Sequence, residues 1–458
     1  MINLNPSSFR DPSGFIFESD GEIYRQVNQV YQNDYDLLIS SGLYDELVRN
    51  HSLVKHEEVN SPILKPEIAY KIIKIERIKF ISYPYEWSFS QLKDAALLTL
   101  HTLLLAIKKG MILKDASAYN IQFHEGKPIF IDTLSFAKYE EGSAWQGYKQ
   151  FCQHFLAPLA LMSFKDARLS KLLINFIDGV PLDLASKLLP KRTWFNYGLL
   201  THIHMHAFAQ SNINTSVKEK RESRKINILG LIGLIENLEN TIKKINWTIK
   251  EKDWVNYYQS TNYSENAFEH KKETVKKLIN KASPKSILDL GANTGVFSRL
   301  GIGLDGCKII SVDNDAGAVE VNYLETKNAN EKDVLPLVVD IVNPSPGIGW
   351  DNNERMKFSD RSSFDLVLAL ALVHHLSISN NIPFSMVSEV LSKLGKFLII
   401  EFIPKDDSQI QKMLNSRHDI FSDYSITNFK EIFSKDFFLI DEIKIEDSLR
   451  TLFLFERK

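Results

Sequence analysis

The stretch SILDLGANTGVF, Ser286 to Phe297, decides how the chain is read. An apolar run, Ile287-Leu288-Asp289-Leu290, stops at the turn Gly291-Ala292-Asn293-Thr294-Gly295, and a second apolar segment sets off at Val296. That order predicts a strand, a tight turn and a helix. Glycine at Gly291 and Gly295 lets the backbone turn sharply and come close to a ligand, and a following helix would aim its unpaired N–H groups at that ligand. Taken alone, the stretch is equally compatible with an ordinary strand-to-helix connection, because a single glycine-rich loop needs its context to carry a function.

From Ser286 onward the context is regular. Apolar runs at 286–290, 308–312, 334–339, 364–370 and 396–402 alternate with helical patterns, which predicts an α/β domain with a parallel sheet and helices on both faces. Near the C-terminus, FFLIDEIKIE and LRTLFLFERK are separated near Asp447-Ser448 and predict a hairpin that adds an antiparallel strand.

These features together resemble the class I methyltransferases that use S-adenosylmethionine. DLGANTG follows the first strand, Asp313 closes the second in ISVDND, Asp340 follows the third in VVD, and FDLVLALALVHHL carries the fourth. The resemblance spans about residues 250–458 and implies a Rossmann-like seven-stranded sheet. It implies that Gly291, Ala292, Asn293 and Gly295 pass under the methionine part of the cofactor, with Asp289 holding the turn or reaching the amino group through water. Asp313, 18 residues beyond Gly295, would accept from the ribose hydroxyls. Asp340 would take the adenine amine, with Asn314 or Ile341 beside the ring, and Ala369 at the fourth strand's end counts among the cofactor-facing positions. An NAD or FAD enzyme is the competing reading, but the turn is spaced G-x-x-x-G and lacks G-x-G-x-x-G.

Methyl transfer asks chiefly for proximity and alignment in a dry pocket, and for a base only where the acceptor must lose a proton. His374 and His375 follow the fourth strand and Glu401 ends the fifth, so all three are expected on loops at the carboxyl edge as candidate acid–base residues; against that, one of an adjacent histidine pair usually packs or caps, and a solvated strand end accounts for Glu401 as well. The fourth-strand loop reads ALVHHL where amide and exocyclic-amine methylases of the family carry an NPPY-like tetrapeptide. The resemblance therefore points to a small metabolite or glycan hydroxyl rather than DNA. The polar, Pro- and Gly-containing segment Asn343–Asp360 is expected to shape the acceptor pocket.

The first half has a different grammar. Strands flank Asp20-Gly21, an amphipathic helix is expected over Tyr35–Val48, a strand region over Ala69–Tyr83, and a long apolar helix over Ser90–Lys108. Then comes MILKDASAYNIQFHEGKPIFIDTLSF, in which Asp115 and Asn120 are spaced D-x-x-x-x-N and Asp132 ends the second of two short strands. This resembles the catalytic loop of the protein-kinase and aminoglycoside-phosphotransferase superfamily. The resemblance implies an α+β kinase-like domain in which Asp115 accepts a hydroxyl proton, Asn120 and Asp132 hold magnesium, and ATP is bound. The chain has no glycine-rich phosphate loop before the hairpin, no VAIK-like strand, and Thr133-Leu134 after Asp132; Arg25 or Lys71 stands nearest the place of the missing lysine. An active kinase and an inactive scaffold both fit that pattern.

The domain plan is a kinase-like domain over 1–212, a linker and connecting helix over 213–249, and a methyltransferase domain over 250–458. Polar SNINTSVKEKRESRK marks the linker, and Tyr258, Tyr263 and Phe268 are expected to pack a helix on the sheet or close over a ligand. His202 and His206 lie one helical turn apart, but with no acidic or thiol partner beside them packing is the preferred reading. A formal charge of −2 over 458 residues gives no global field for nucleic acid, two distant cysteines give no disulfide framework, and no membrane-spanning run is expected, so a cytoplasmic enzyme is the simplest expectation. The rival from another class is a non-catalytic scaffold that senses S-adenosylmethionine. Oligomeric state is not legible.

Overall fold

The computed structural model describes residues 2–60, 64–213, 226–249, 263–415 and 418–458. Tyr258 and most of the expected linker fall outside them. The chain divides into two compact units, 1–248 with 347–356, and 249–346 with 357–458.

In the first unit the strands β1 (Asn3–Leu4), β2 (Gly14–Ser19), β3 (Glu22–Asn28), β4 (His56–Glu58) and β5 (Ala69–Ile75) form an antiparallel sheet in the order β1-β2-β3-β5-β4. Asp20 and Gly21 both take positive φ (51° and 81°), the backbone that a two-residue hairpin turn requires. Between β3 and β4 run two short helices, Gln32–Ser40 and Leu43–Arg49, where the sequence suggests one; Gly42 at φ +73° breaks it. The long helix Phe89–Lys108 starts at a capping box made by Ser88 and Gln91. Two small pairs follow it, β6 (Met111–Leu113) with β9 (Phe136–Lys138) and β7 (Ile121–His124) with β8 (Lys127–Phe130).

Two segments assigned elsewhere by sequence belong to this unit. The helix Ile228–Lys244, expected in the connector, packs here: Asn237 Oδ1 pairs with His202 Nε2 at 2.7 Å, and Lys93 Nζ donates to the carbonyls of Lys243 and Ile245 (3.0 and 2.8 Å). Residues 347–356, expected to shape an acceptor pocket, also fold into it. Arg10 Nη2 meets Glu354 Oε1 at 2.6 Å, the Met356 N–H donates to the Tyr83 hydroxyl at 2.9 Å, and the Arg355 guanidinium lies 4.2 Å over the Tyr119 ring. A polar segment rich in turn formers identifies itself as a loop, not as the property of one core.

The second unit is a seven-stranded sheet of β10 (Ser286–Leu290), β11 (Lys308–Asp313), β12 (Val334–Val338), β13 (Phe364–Ala369), β14 (Gly395–Phe402), β15 (Phe437–Lys444) and β16 (Thr451–Arg457). Their order is β12-β11-β10-β13-β14-β16-β15, parallel except that β16 runs antiparallel to both neighbours. Side chains alternate across a strand, and β16 shows the consequence. Leu452 and Leu454 join Ile287, Leu366, Leu368 and Ile399 under the helix Glu265–Ala282, while Phe453 and Phe455 face Phe429 and Phe433 of the helix Ile426–Asp436. Both faces are thus covered, and the strand ends are left to build a site. Among the described residues no helix is long and apolar enough to cross a membrane.

Candidate functional site

The turn after β10 is held in a left-handed backbone at Gly291 (φ +69°), Asn293 (+52°) and Gly295 (+81°). The Gly291 and Ala292 N–H groups both donate to Val312 O (2.9 and 3.0 Å), which ties the turn to the end of β11. The two glycines serve different ends. A Cβ at Gly291 would meet only Leu372 Cδ1, at 3.5 Å, and the residue is exposed, so its backbone is open to a ligand. A Cβ at Gly295 would lie 2.5 Å from Arg299 Nη1 and from Asn322 Oδ1. There glycine makes room for a clamp, since Arg299 donates to Thr294 O (2.8 Å), Asn322 Oδ1 (3.0 Å) and Glu331 Oε1 (3.0 Å).

The helix expected from Val296 is absent: turns lead to a single tight helical turn, Ser298–Gly301. Gly301 explains part of it, for a Cβ there would sit 2.5 Å from Ile287 Cδ1, and Gly303 follows at φ +89°. Chain that must press this closely on β10 and then reverse cannot continue a helix. The turn therefore has no long helix N-terminus behind it.

The acidic residues divide by environment. Asp289 is buried and accepts from the Ser298 hydroxyl (2.6 Å), which also lies 2.9 Å from Ser311 Oγ; burial pushes its carboxyl up to about 7 against the pull of Ser298. That carboxyl is engaged inside the turn. Asp313 receives the Asn293 N–H on Oδ2 and the Asp315 N–H on Oδ1, each at 2.8 Å, so it is fixed at the strand end, and burial raises it despite those bonds. Asn314 beside it is exposed. The Val339 N–H donates to Asp313 O (2.9 Å), which brings Asp340 and Ile341 to the same edge, both half-buried; Asp340 Oδ1 accepts from Val342 N–H at 2.9 Å. Ala369 is buried at the end of β13, opposite Ile400.

His374 and His375 follow β13 with ring centroids 4.2 Å apart. His374 is buried with no partner for Nδ1, and burial, then His375, Arg450 and Lys271, hold it well below the usual histidine range. His375 is half-buried and lowered by burial. Glu401 does not stand on a loop as expected but within β14, fully buried. Its Oε2 accepts from Lys271 Nζ (2.7 Å) and the Ala371 N–H (2.8 Å), and Oε1 accepts from the Tyr263 hydroxyl. Burial would raise Glu401, but Lys271 and Arg450 outweigh it and hold the carboxyl below its ordinary value. Sequence reasoning missed Lys271, Arg450 and Asp407. One signal was available: Lys271 sits on the apolar face of its helix with Ala267, Val275 and Leu278, a position that buries a lysine only against a partner.

The first unit gathers its own polar cluster. Asp132 accepts from the Arg25 guanidinium, from the Ser135 hydroxyl and from the Leu134 N–H (3.2 Å). Burial would raise its carboxyl, but Arg25 and these hydrogen bonds leave it below the usual range. Asn120 Nδ2 donates to Ser135 Oγ at 3.2 Å, and Asp115, raised by burial and then by the charge of Asp132, accepts from the Ser117 N–H (2.9 Å) and hydrogen-bonds Asn120. The three residues are therefore neighbours. Of the two cations considered from sequence, Arg25 is in the cluster, while Lys71 lies half-exposed against Glu58. Among the described residues no group of three or more His, Cys, Asp or Glu side chains is arranged to hold a metal. His202 is placed as packing would have it, with Nδ1 on the Tyr148 hydroxyl and Nε2 on Asn237, both at 2.7 Å.

No protein-family model matches the chain. The N-methyltransferase NodS from Bradyrhizobium japonicum WM9 aligns at 12% identity and TM-score 0.32, over 42% of this chain and 98% of its own. The bifunctional kinase-methyltransferase WbdD aligns at 18% identity and TM-score 0.31, over 45% of this chain and 42% of its own. Scores this low carry no argument about chemistry. Nodulation protein NoeA of Rhizobium meliloti (strain 1021) is 34% identical over 457 residues, which span 98% of this chain and 95% of that protein. An identity of that size along nearly the whole of both chains places this protein in the family of nodulation protein NoeA.

Proposed function

We propose that the second unit is an S-adenosylmethionine-dependent methyltransferase and that its cofactor lies across the ends of β10, β11 and β12. The observation that carries this reading is the open, left-handed Gly291 tied to β11 beside a carboxylate, Asp313, fixed by two backbone N–H groups. Such a carboxylate keeps lone pairs for a vicinal diol, the feature of a ribose. In this arrangement Gly291 to Gly295 pass beneath the amino-acid portion, Asp340 accepts the adenine amine, and Asn314, Ile341 and Ala369 flank the ring. Asp289 supports the turn from below. When bound, the cofactor supplies an electrophilic methyl group on sulfur. His375, less deeply buried than His374, is the better proton acceptor of the pair, and His374 presents a neutral imidazole for orienting the acceptor. The acceptor class best suited to this pair is a hydroxyl of a small metabolite or glycan, which must lose a proton as it is methylated. Titration calorimetry of the full chain with S-adenosylmethionine and S-adenosylhomocysteine tests the reading. Saturable binding of both is expected, and binding of neither overturns it. Labelled methyl transfer into a cell extract then identifies the acceptor.

A narrower proposal concerns the first unit. Asp115, Asn120 and Asp132 converge as they would in a phosphotransferase, which supports a kinase-like ancestry, but Asp132 is claimed by Arg25 and would have to release it to take magnesium. We read the unit as a scaffold that does not transfer phosphate, and a bifunctional kinase-methyltransferase as the alternative. Saturable binding of ATP with magnesium, lost in Asp132→Ala, would favour the alternative.

A further inference from the structure

Glu401 sits at the centre of a buried charge cluster. Lys271 Nζ and the Ala371 N–H share its Oε2, the Tyr263 hydroxyl donates to Oε1, and Arg450 Nη1 lies 3.8 Å from Oε1 while its Nε donates to Asp407 at 2.8 Å. Lys271, Glu401, Arg450 and Asp407 are all nearly inaccessible to solvent. Two cations and two anions so deeply buried are a poor investment for stability alone, because well-packed apolar side chains of similar volume do as well or better. An apolar side chain could not, however, accept the Ala371 N–H.

That N–H belongs to an unusual residue. Ala371 has φ +49°, a region that L side chains rarely adopt and that persists where surrounding contacts over-determine it. The turn it starts leads directly to the site. Leu372 Cδ1 reaches to 3.5 Å from where a Cβ on Gly291 would stand, and Leu372 O accepts the N–H groups of His375 (2.9 Å) and Leu376 (3.2 Å). His374, with Nδ1 buried and unpartnered, is carried on the same turn.

We propose that Glu401 is a positioning residue: through the Ala371 N–H it holds the strained turn that sets His374 and His375 beside the glycine loop. Their service to a methyl acceptor rests on the methyltransferase reading; the positioning does not. Glu401 itself is closed off from solvent. Lys271, Arg450 and Tyr263 keep its carboxylate ionised and aimed, which gives Ala371 the stronger, charge-assisted bond.

The test uses the full chain with 15N-labelled histidine, the ring signals being assigned through His374→Gln and His375→Gln. Glu401→Gln is expected to shift the ring signals of His374 and His375 while those of His56 and His204 stay in place. Adding Ala371→Gly is expected to bring the two signals back, because glycine adopts this backbone unaided yet restores no charge. A folded Glu401→Gln protein with both signals unmoved, or a double variant that fails to recover them, overturns the proposal. Should Glu401→Gln not fold, Ala371→Val strains the same turn with the charge cluster intact, and is expected to move the same two signals; unmoved signals there overturn the proposal as well. Calorimetry with S-adenosylhomocysteine on the parent chain runs alongside. Its failure would remove the methyltransferase reading and leave the histidine result standing.

Discussion

Asp132, largely screened from solvent, and Asp289, buried, are aspartates near strand ends, one in each unit, and they are kept in opposite ways. Asp132 has Arg25 against it and stays below the usual carboxylate range. Asp289 accepts from the Ser298 hydroxyl, and burial carries it to about 7. A carboxylate balanced by a guanidinium is largely spoken for. One held by hydroxyl and backbone groups, as Asp289 and Asp313 are, belongs to a region built around neutral donors, where a ligand's own hydroxyls can join. On the proposed function, this difference would separate a scaffold from a site.

The sharpest way to break the comparison is to remove the cation. Arg25→Leu leaves the Asp132 carboxylate, only 14% exposed, without its partner; losing one member of a fully buried pair typically costs about 3–5 kcal/mol, and this site is expected near the lower end. Urea unfolding of the full chain is expected to show a loss of this size, with affinity for S-adenosylhomocysteine little changed. A loss under about 1 kcal/mol would mean that the pair is solvated and that the contrast has no energetic content. Next in size is Gly295→Ala. It combines a positive φ with displacement of the Arg299 clamp, so a loss of about 2–3 kcal/mol is expected, together with failure to bind S-adenosylhomocysteine. Retained binding at parental affinity would detach the turn from the cofactor.

How far the sequence reaches differs between the units for the same physical reason. The five strands β10 to β14 lie within a residue of their apolar runs, because buried parallel strands are continuous apolar runs and the helices between them restart the pattern, while the terminal pair departs by two residues. The turn at Gly291 and the acid at Asp313 were legible as local signals. What was not legible is long-range. Lys271 and Glu401 are 130 residues apart and Arg450 meets Asp407 across 43, so no window contains both members of a pair. The missing helix after Val296 depends on how close Gly301 must come to Ile287, and the assignment of 347–356 to the first unit depends on Tyr83 and Tyr119, far back in the chain.

Acid sharpens the comparison because the two carboxyls respond with opposite sign. An unfolded aspartate titrates near pH ~3.9. Asp289, raised to about 7 by burial, keeps its proton in the folded protein while the unfolded chain has lost it, so its contribution is fully present at acid pH. Stability from this group falls as pH rises through its folded value, by up to about 1.4 kcal/mol per pH unit between roughly pH 4 and 7. Asp132 runs the other way: its contribution is present above the unfolded value and is lost as pH falls through the folded one. Asp289→Asn is expected to flatten the urea midpoint between pH 4 and 7 and leave the acid limb in place, whereas a slope that survives the substitution would assign it to another group.

Cofactor affinity supplies the smaller effects. Asp313→Ala is expected to weaken S-adenosylhomocysteine by about tenfold to a hundredfold, the worth of hydrogen bonds to a charged acceptor. Asp340→Ala should cost less, about threefold to tenfold, for a reason visible in its surroundings. Asp313 is held by two N–H groups before any ligand arrives, so little order is lost when a ribose binds. Asp340 is half-exposed, and Oδ1 is tied only to the Val342 N–H two residues on, so it competes with water and gives up side-chain freedom on binding. Calorimetry on the two variants at equal salt ranks them. If Asp340→Ala proved the more damaging, the adenine contact would outweigh the ribose contact, and the carboxylate fixed in advance at the end of β11 would not be the group around which this site is arranged.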